Sequence, residues 1–220
     1  MQVDELAPGL WRWTARSPDW SPGMSWEPEV SCFYAETGEA IVLVDPLVPE
    51  VEAERFWSAL DRDVERRKLR VAVLLTQAAH ARSAGEVAQR YGGGVWGHEG
   101  ARPKVGDAPF TAVEHGDELP GGVRALRFDQ EPGGSGTPLF LPSHGALAVG
   151  DVFISIDGEL RVWWGDKHEN GDWYAERLLP SLRRWLELPI ERLLIAHGPQ
   201  VGGGVDELAA ALERPPHSLE

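Results

Sequence analysis

The stretch Leu74-Leu75-Thr76-Gln77-Ala78-Ala79-His80-Ala81-Arg82-Ser83-Ala84-Gly85 is the richest in chemical information in this 220-residue chain. It leaves an apolar run, Val71-Ala72-Val73-Leu74-Leu75, and enters a helical pattern, so His80 and Arg82 stand in a loop positioned by a strand end. Two other apolar runs finish in ligand-type side chains. Ala146-Leu147-Ala148-Val149 leads into Gly150-Asp151, and Leu193-Leu194-Ile195-Ala196 leads into His197-Gly198-Pro199. Imidazoles and carboxylates hold divalent metals or move protons. A catalytic zinc site needs about three such ligands and an open position for water, whose pKa the metal lowers to near 7.

Other catalytic classes find less support. There is no Gly-x-Ser-x-Gly elbow, so a serine hydrolase would need Ser83 or Ser143 to meet His197 and Asp151 by chance. Ser83 is accounted for as a helix cap, with Glu86 completing a capping-box pattern. The glycine runs at 92–94, 133–134 and 202–204 lack the Gly-Lys-Ser/Thr of a phosphate loop and read as turns. The single cysteine, Cys32, excludes an internal disulfide and a cysteine-based zinc site; its strand-like flanks make it a buried, inert thiol.

The ordered set of strand-plus-motif segments over about residues 6–204 resembles the metallo-β-lactamase fold. Thr76 matches the threonine before the His-x-His-x-Asp-His motif, whose ligands then fall on Gln77, Ala79, Ala81 and Arg82. His80 sits one residue out of frame, and its imidazole is expected to point away from a true ligand position. Ile41-Val42-Leu43-Val44-Asp45-Pro46 resembles the strand whose aspartate braces that loop, Asp151 the bridging carboxylate, and His197 the terminal ligand. Glu131 replaces the histidine of the glycine-rich segment 128–135. Residues 80–84 and 90–92, with the tryptophan-rich second half, are similar to a bacterial branch of the superfamily, a likeness that implies no substrate.

The resemblance implies a fold without most of its metal ligands. The leading expectation is a non-catalytic domain, a pseudoenzyme that binds a small molecule or a protein partner, with no cofactor and far less than one equivalent of metal. The alternative is a hydrolase of ester, thioester or lactone type using one weakly held zinc or other divalent metal at Asp151 and His197, with His80 or Glu131 as the third ligand. His98, His115, His144 and His168 read as surface or loop residues. A pocket is expected at the old active-site mouth, bordered by Gln77, His80, Trp163 or Trp164, and the Glu131 loop. A lone carboxylate in that site needs a counter-cation, and Arg82 is expected to pair with Asp151 where the metal otherwise sits.

Charge narrows the partners. A formal net charge of −14 opposes polyanion binding, which rests on Lys and Arg neutralising phosphates, so no nucleic-acid partner is expected. The cluster Arg62, Arg66, Arg67, Lys68 and Arg70 lies among acids and reads as a solvated helix face. No apolar run approaches a bilayer span, and the first residues lack signal-peptide features, so no membrane contact and a cytoplasmic location are expected.

The elements that must position these residues alternate between strands and helices. Strands are expected at 10–14, 30–34, 41–44, 71–75, 95–97, 123–128, 138–141, 147–149 and 193–196. Helices are expected at 49–68, with Val51, Phe56, Leu60 and Val64 on one face, then at 83–91, 172–188 and 205–212. Pro180 falls inside the third, and residues 214–220 read as a frayed tail. Ten tryptophans serve packing first, with Trp163, Trp164 and Trp173 available to wall a pocket. The fold class is α/β, a single αββα sandwich over 1–220: two mixed β-sheets face to face, flanked by helices.

Overall fold

The computed structural model describes residues 1–130, 133–164 and 171–218. The first sheet runs in chain order: β1 (Val3–Ala7), β2 (Leu10–Arg16), β3 (Glu29–Glu36), β4 (Ala40–Val44), β5 (Arg70–Leu74), β6 (Gly94–Gly97) and β7 (Phe110–Ala112). It is antiparallel as far as β4 and parallel from β4 to β7. The crossovers after β4 and β5 contain α1 (Ala53–Arg67) and α2 (Ala84–Arg90).

Strands β8 (Glu118–Leu119), β9 (Val123–Ala125), β10 (Leu139–Leu141) and β11 (Ala146–Gly150) belong to the second sheet. A hairpin of β12 (Phe153–Ile156) and β13 (Glu159–Trp164) precedes its last strand, β14 (Arg192–Ile195), giving the order β14-β11-β10-β9-β8. Only the β11–β14 pair is parallel. Both sheets are therefore mixed, as the sequence reading expects.

Period-two alternation explains why the strands read as continuous apolar runs: each inner strand is buried on both faces. Ile41 and Leu43 of β4 face the α1–α2 layer, while Val42 and Val44 enter the inter-sheet core with Phe33, Leu74, Leu139 and Ala148. In β11, Leu147 and Val149 pack outward with Leu182, Trp185 and Leu208, while Ala146 and Ala148 face inward.

Several local expectations change. The first helix begins at Ala53, leaving Val51 outside it and 95 % exposed; Phe56 and Leu60 form its buried face. Ser83 makes no capping bond within α2. Its hydroxyl accepts the Val48 N–H at 3.0 Å, because a short polar side chain bonds whichever backbone group lies nearest. The 172–188 region is broken into α3 (Gly171–Trp173), a π turn at Tyr174–Leu178, α4 (Leu179–Arg183) and a 3-10 turn at Arg184–Glu187. Pro180, lacking an N–H, falls at the second residue of α4, directly after the π turn that interrupts the regular helix. The last helix is α5 (Gly204–Ala211).

The tail is not frayed over its described part. Arg214 pairs with Glu207 and donates to the Leu160 carbonyl, and β15 (His217–Ser218) runs parallel to β13 at Trp163 and Trp164. The β12–β13 hairpin, absent from the sequence reading, turns at Asp157-Gly158 with φ of 52° and 82°. Two left-handed residues in succession suit a tight hairpin whose twist matches its strands.

Candidate metal centre

The chemistry gathers where strands of the two sheets end together. Asp45 follows β4, Thr76 to Arg82 follow β5, Asp151 follows β11 and His197 follows β14. Backbone bonds stitch these ends: Ser31 N–H donates to the Ala196 carbonyl at 2.9 Å, and Thr137 N–H to that of Thr76 at 2.6 Å. Gly150 lets β11 end close against Thr76. Its φ is +56°, and a Cβ there would lie 2.9 Å from Thr76 side-chain atoms.

Asp45 is the brace, as the resemblance implied. Its carboxylate accepts the Thr76 N–H at 2.8 Å and the Thr76 hydroxyl, and lies 2.9 Å from His80 Nδ1. An ionised carboxylate only accepts, so Nδ1 carries a proton and Nε2 faces the other way. There, His80 Nε2 lies 3.1 Å from Asp151 Oδ1, and His197 Nε2 lies 3.3 Å from the same oxygen. Neither ring N–H is aligned on that oxygen, which has no hydrogen-bond partner despite both neighbours. One ligand atom from each of the three residues falls within 4.8 Å of the others. His80 and His197 are buried, whereas the Asp151 side chain is 28 % exposed.

His80 therefore points into the site, contrary to the out-of-frame expectation. Residues Ala78–Ala81 wind as a 3-10 turn, and Arg82 follows with φ 23° and ψ −106°. A 3-10 turn advances 120° per residue rather than 100°, so helical register does not predict where the side chains point. Arg82 fails to form the expected pair with Asp151. Its Nε and Nη1 atoms are buried without an acceptor, and the cationic neighbour of Asp151 is an imidazole.

Burial opposes charge on His80, but the carboxylates of Asp151 and Asp45 prevail and push its pKa up to about 9 in the metal-free protein. Burial likewise opposes ionisation of Asp151, yet His80 and His197 beside it hold the carboxyl well below its usual range. Burial lowers His197, assisted by the nearby charges of His80 and Arg82. Burial also pushes the Cys32 thiol up to about 12.

Beside the cluster lies a cavity of about 260 Å³ lined by Gln77, Asp151, Trp163, Trp164 and the loop residues Gln130, Gly134 and Ser135. Gln77 donates to Asp151 Oδ2 at 3.4 Å and accepts from the Ser135 hydroxyl, so it positions the carboxylate. Contrary to expectation, His80 and Arg82 are not among the residues that line it. Glu131 and His168 lie outside the described residues. His98, His115 and His144 take no part in the described cluster. The sequence reading missed Trp26, whose ring meets His197 edge-on at 4.6 Å; an aromatic in a proline-rich loop carries no signal of that contact.

Solved structures with this arrangement of elements share one architecture. The metallo-beta-lactamase IND-7 superposes with a TM-score of 0.66 and 17 % identity, covering 97 % of this chain and 98 % of its own. The chain has the metallo-β-lactamase fold. A beta-lactamase domain protein from Burkholderia ambifaria gives 0.64 with 19 % identity over 96 % of this chain and 73 % of its own. A flavoprotein from Thermotoga maritima gives 0.65 with 15 % identity, over 96 % of this chain and 60 % of its own. Identities at this level carry the fold alone. No protein-family model matches the sequence, and neither does any curated protein.

Proposed function

We propose that this metallo-β-lactamase-fold protein holds one divalent metal ion on His80, Asp151 and His197 and hydrolyses a small ester, thioester or lactone. The observation that carries the reading is the convergence of His80 Nε2 and His197 Nε2 on Asp151 Oδ1 at 3.1 and 3.3 Å without hydrogen-bond alignment. Ligand atoms about 2.1 Å from a tetrahedral zinc lie roughly 3.4 Å from one another. Two imidazoles and a carboxylate fit zinc, and three protein ligands leave one position open. When bound, such an ion acts as a Lewis acid and lowers the pKa of water to about 7.

The chain's own residues do the rest. Asp45 fixes the His80 ring and its tautomer through Nδ1. Gln77 holds Asp151 from the cavity side, and Trp26 and Trp163 pack against His197 in T-shaped contacts, limiting its rotation and its contact with water.

A second reading rests on the charge of the metal-free cluster. With His80 raised to about 9, its imidazolium stands between Asp45 and Asp151 and supplies the cation that the fold otherwise takes from metal. That arrangement supports the non-catalytic binding domain of the sequence reading. Metal analysis separates the two. Protein purified without chelator and dialysed against zinc is expected to retain about one equivalent, lost in His197→Ala. Retention below a tenth of an equivalent would overturn the hydrolase reading in favour of the imidazolium. Soluble behaviour without nucleic acid or membrane partners remains part of the proposal; among the described residues no helix is long and apolar enough to cross a membrane.

A further inference from the structure

A second cavity, of about 260 Å³, lies between α1 and the outer face of the first sheet, and takes residues from β1, β2, β3 and β4. None of its described lining residues belongs to the cluster of His80, Asp151 and His197. Trp13, Tyr34, Leu43, Phe56 and Leu60 form the buried part of the lining. The side-chain polar atoms there are already engaged. The Trp13 indole N–H donates to the Leu47 carbonyl at 2.9 Å, and the Tyr34 hydroxyl donates to Glu36 Oε1 at 2.9 Å. That part therefore offers a ligand apolar and aromatic surface, which Val3 and Trp11, 44 % and 36 % exposed, extend to solvent.

All but one of the charged lining groups have a partner. The Met1 ammonium pairs with Glu52, Arg12 with Asp4 at 2.9 Å, and Arg66 with Glu36 at 2.7 Å and Asp63 at 3.0 Å. Arg62, an exposed residue of α1, has no ion pair or hydrogen bond among the described residues.

We propose that this cavity binds a small amphipathic carboxylate, its apolar body on the buried aromatic surface and its head on the Arg62 guanidinium. The site is separate from the metal centre and needs no metal. Its volume lies below the roughly 300–1,000 Å³ of drug-sized ligand sites, which restricts the body to a short chain or a single ring. A guanidinium bonds a carboxylate through two parallel N–H groups, and Arg62 has no carboxylate partner to give up first. With a formal charge of −14 the surface as a whole repels anions, so a preference for the charged form of a ligand reports a local cation.

The test uses octanoate and octanamide, alike in chain and different in charge, titrated calorimetrically at about pH 8 into the full chain after chelator treatment, so that no metal attracts the anion. Octanoate is expected to bind at least about threefold more tightly than octanamide, an advantage that shrinks in about 1 M salt because the pair is exposed. Arg62→Gln is expected to bring octanoate down to the affinity of the amide and to leave the amide unchanged. Ala59→Trp, which places a large ring in the cavity from α1, is expected to weaken both probes by about tenfold or more. Equal affinities, a preference for the amide, or no octanoate binding overturns the proposal. So does parental octanoate affinity in Arg62→Gln or in Ala59→Trp, which would place the anion elsewhere. The comparison of probes on the parent protein needs no variant to fold.

Discussion

Asp45 is the most revealing position to perturb, because three donors end on it. Its carboxylate accepts the buried Thr76 N–H at 2.8 Å and the Thr76 hydroxyl, and lies 2.9 Å from His80 Nδ1. Asp45→Ala leaves a buried amide and hydroxyl without acceptors, at about 1–3 kcal/mol each, and removes one side of a buried charged pair. These losses overlap in one network, so the expected total is about 3–5 kcal/mol. Asp45→Asn keeps an acceptor for the Thr76 amide and is expected to lose less. Zinc affinity should fall about 10- to 100-fold in either variant, since the ligand ring loses its orienting partner. Urea unfolding of chelator-treated protein and competition with a chromophoric chelator measure the two quantities.

Stability against pH adds a signature. His80 rises from its ordinary 6.5 to about 9 on folding, so its contribution is complete below pH 6.5 and is lost as pH climbs through 9. The stability gap between the metal-free parent and Asp45→Ala should therefore shrink over that window. A gap under about 1 kcal/mol at pH 6, or one that widens between pH 6.5 and 9, refutes the brace argument.

Three further outcomes follow from the same geometry. Arg82→Met is expected to leave stability within about 1 kcal/mol of the parent, because no ion pair is broken, and to strengthen zinc binding several-fold by removing a nearby positive charge; loss of 3 kcal/mol or weaker zinc binding in titrations would contradict it. Gly150→Ala forces a left-handed alanine against Thr76 and should cost about 1–3 kcal/mol, visible as a fall of several degrees in Tm. Cys32 should resist a thiol reagent at pH 8 until the protein unfolds, since burial pushes its pKa up to about 12; stoichiometric labelling of native protein would sink that account.

The sequence by itself determined the layer architecture and the chain positions of the site. Apolar runs such as residues 41–44, 146–149 and 193–196 are buried on both faces, as inner strands of a covered sheet require, and Asp45, Asp151 and His197 stand at their ends. Residue type, spacing and burial are linked there through the two-residue period, which is local and readable. The Asp157-Gly158 pair carries the turn chemistry of a tight hairpin, which is local as well.

Tertiary structure decided the rest. Whether His80 or Arg82 meets Asp151 depends on a 3-10 turn and a positive φ at Arg82, neither of which any pattern of side chains announces. The Ser83 hydroxyl chose the Val48 amide, 35 residues away, over its own helix. Trp164 of a hairpin strand stacks on Trp173 of a broken helix. Contacts of this kind depend on which chain ends the two sheets bring together, and that is a property of the packed layers rather than of any local segment.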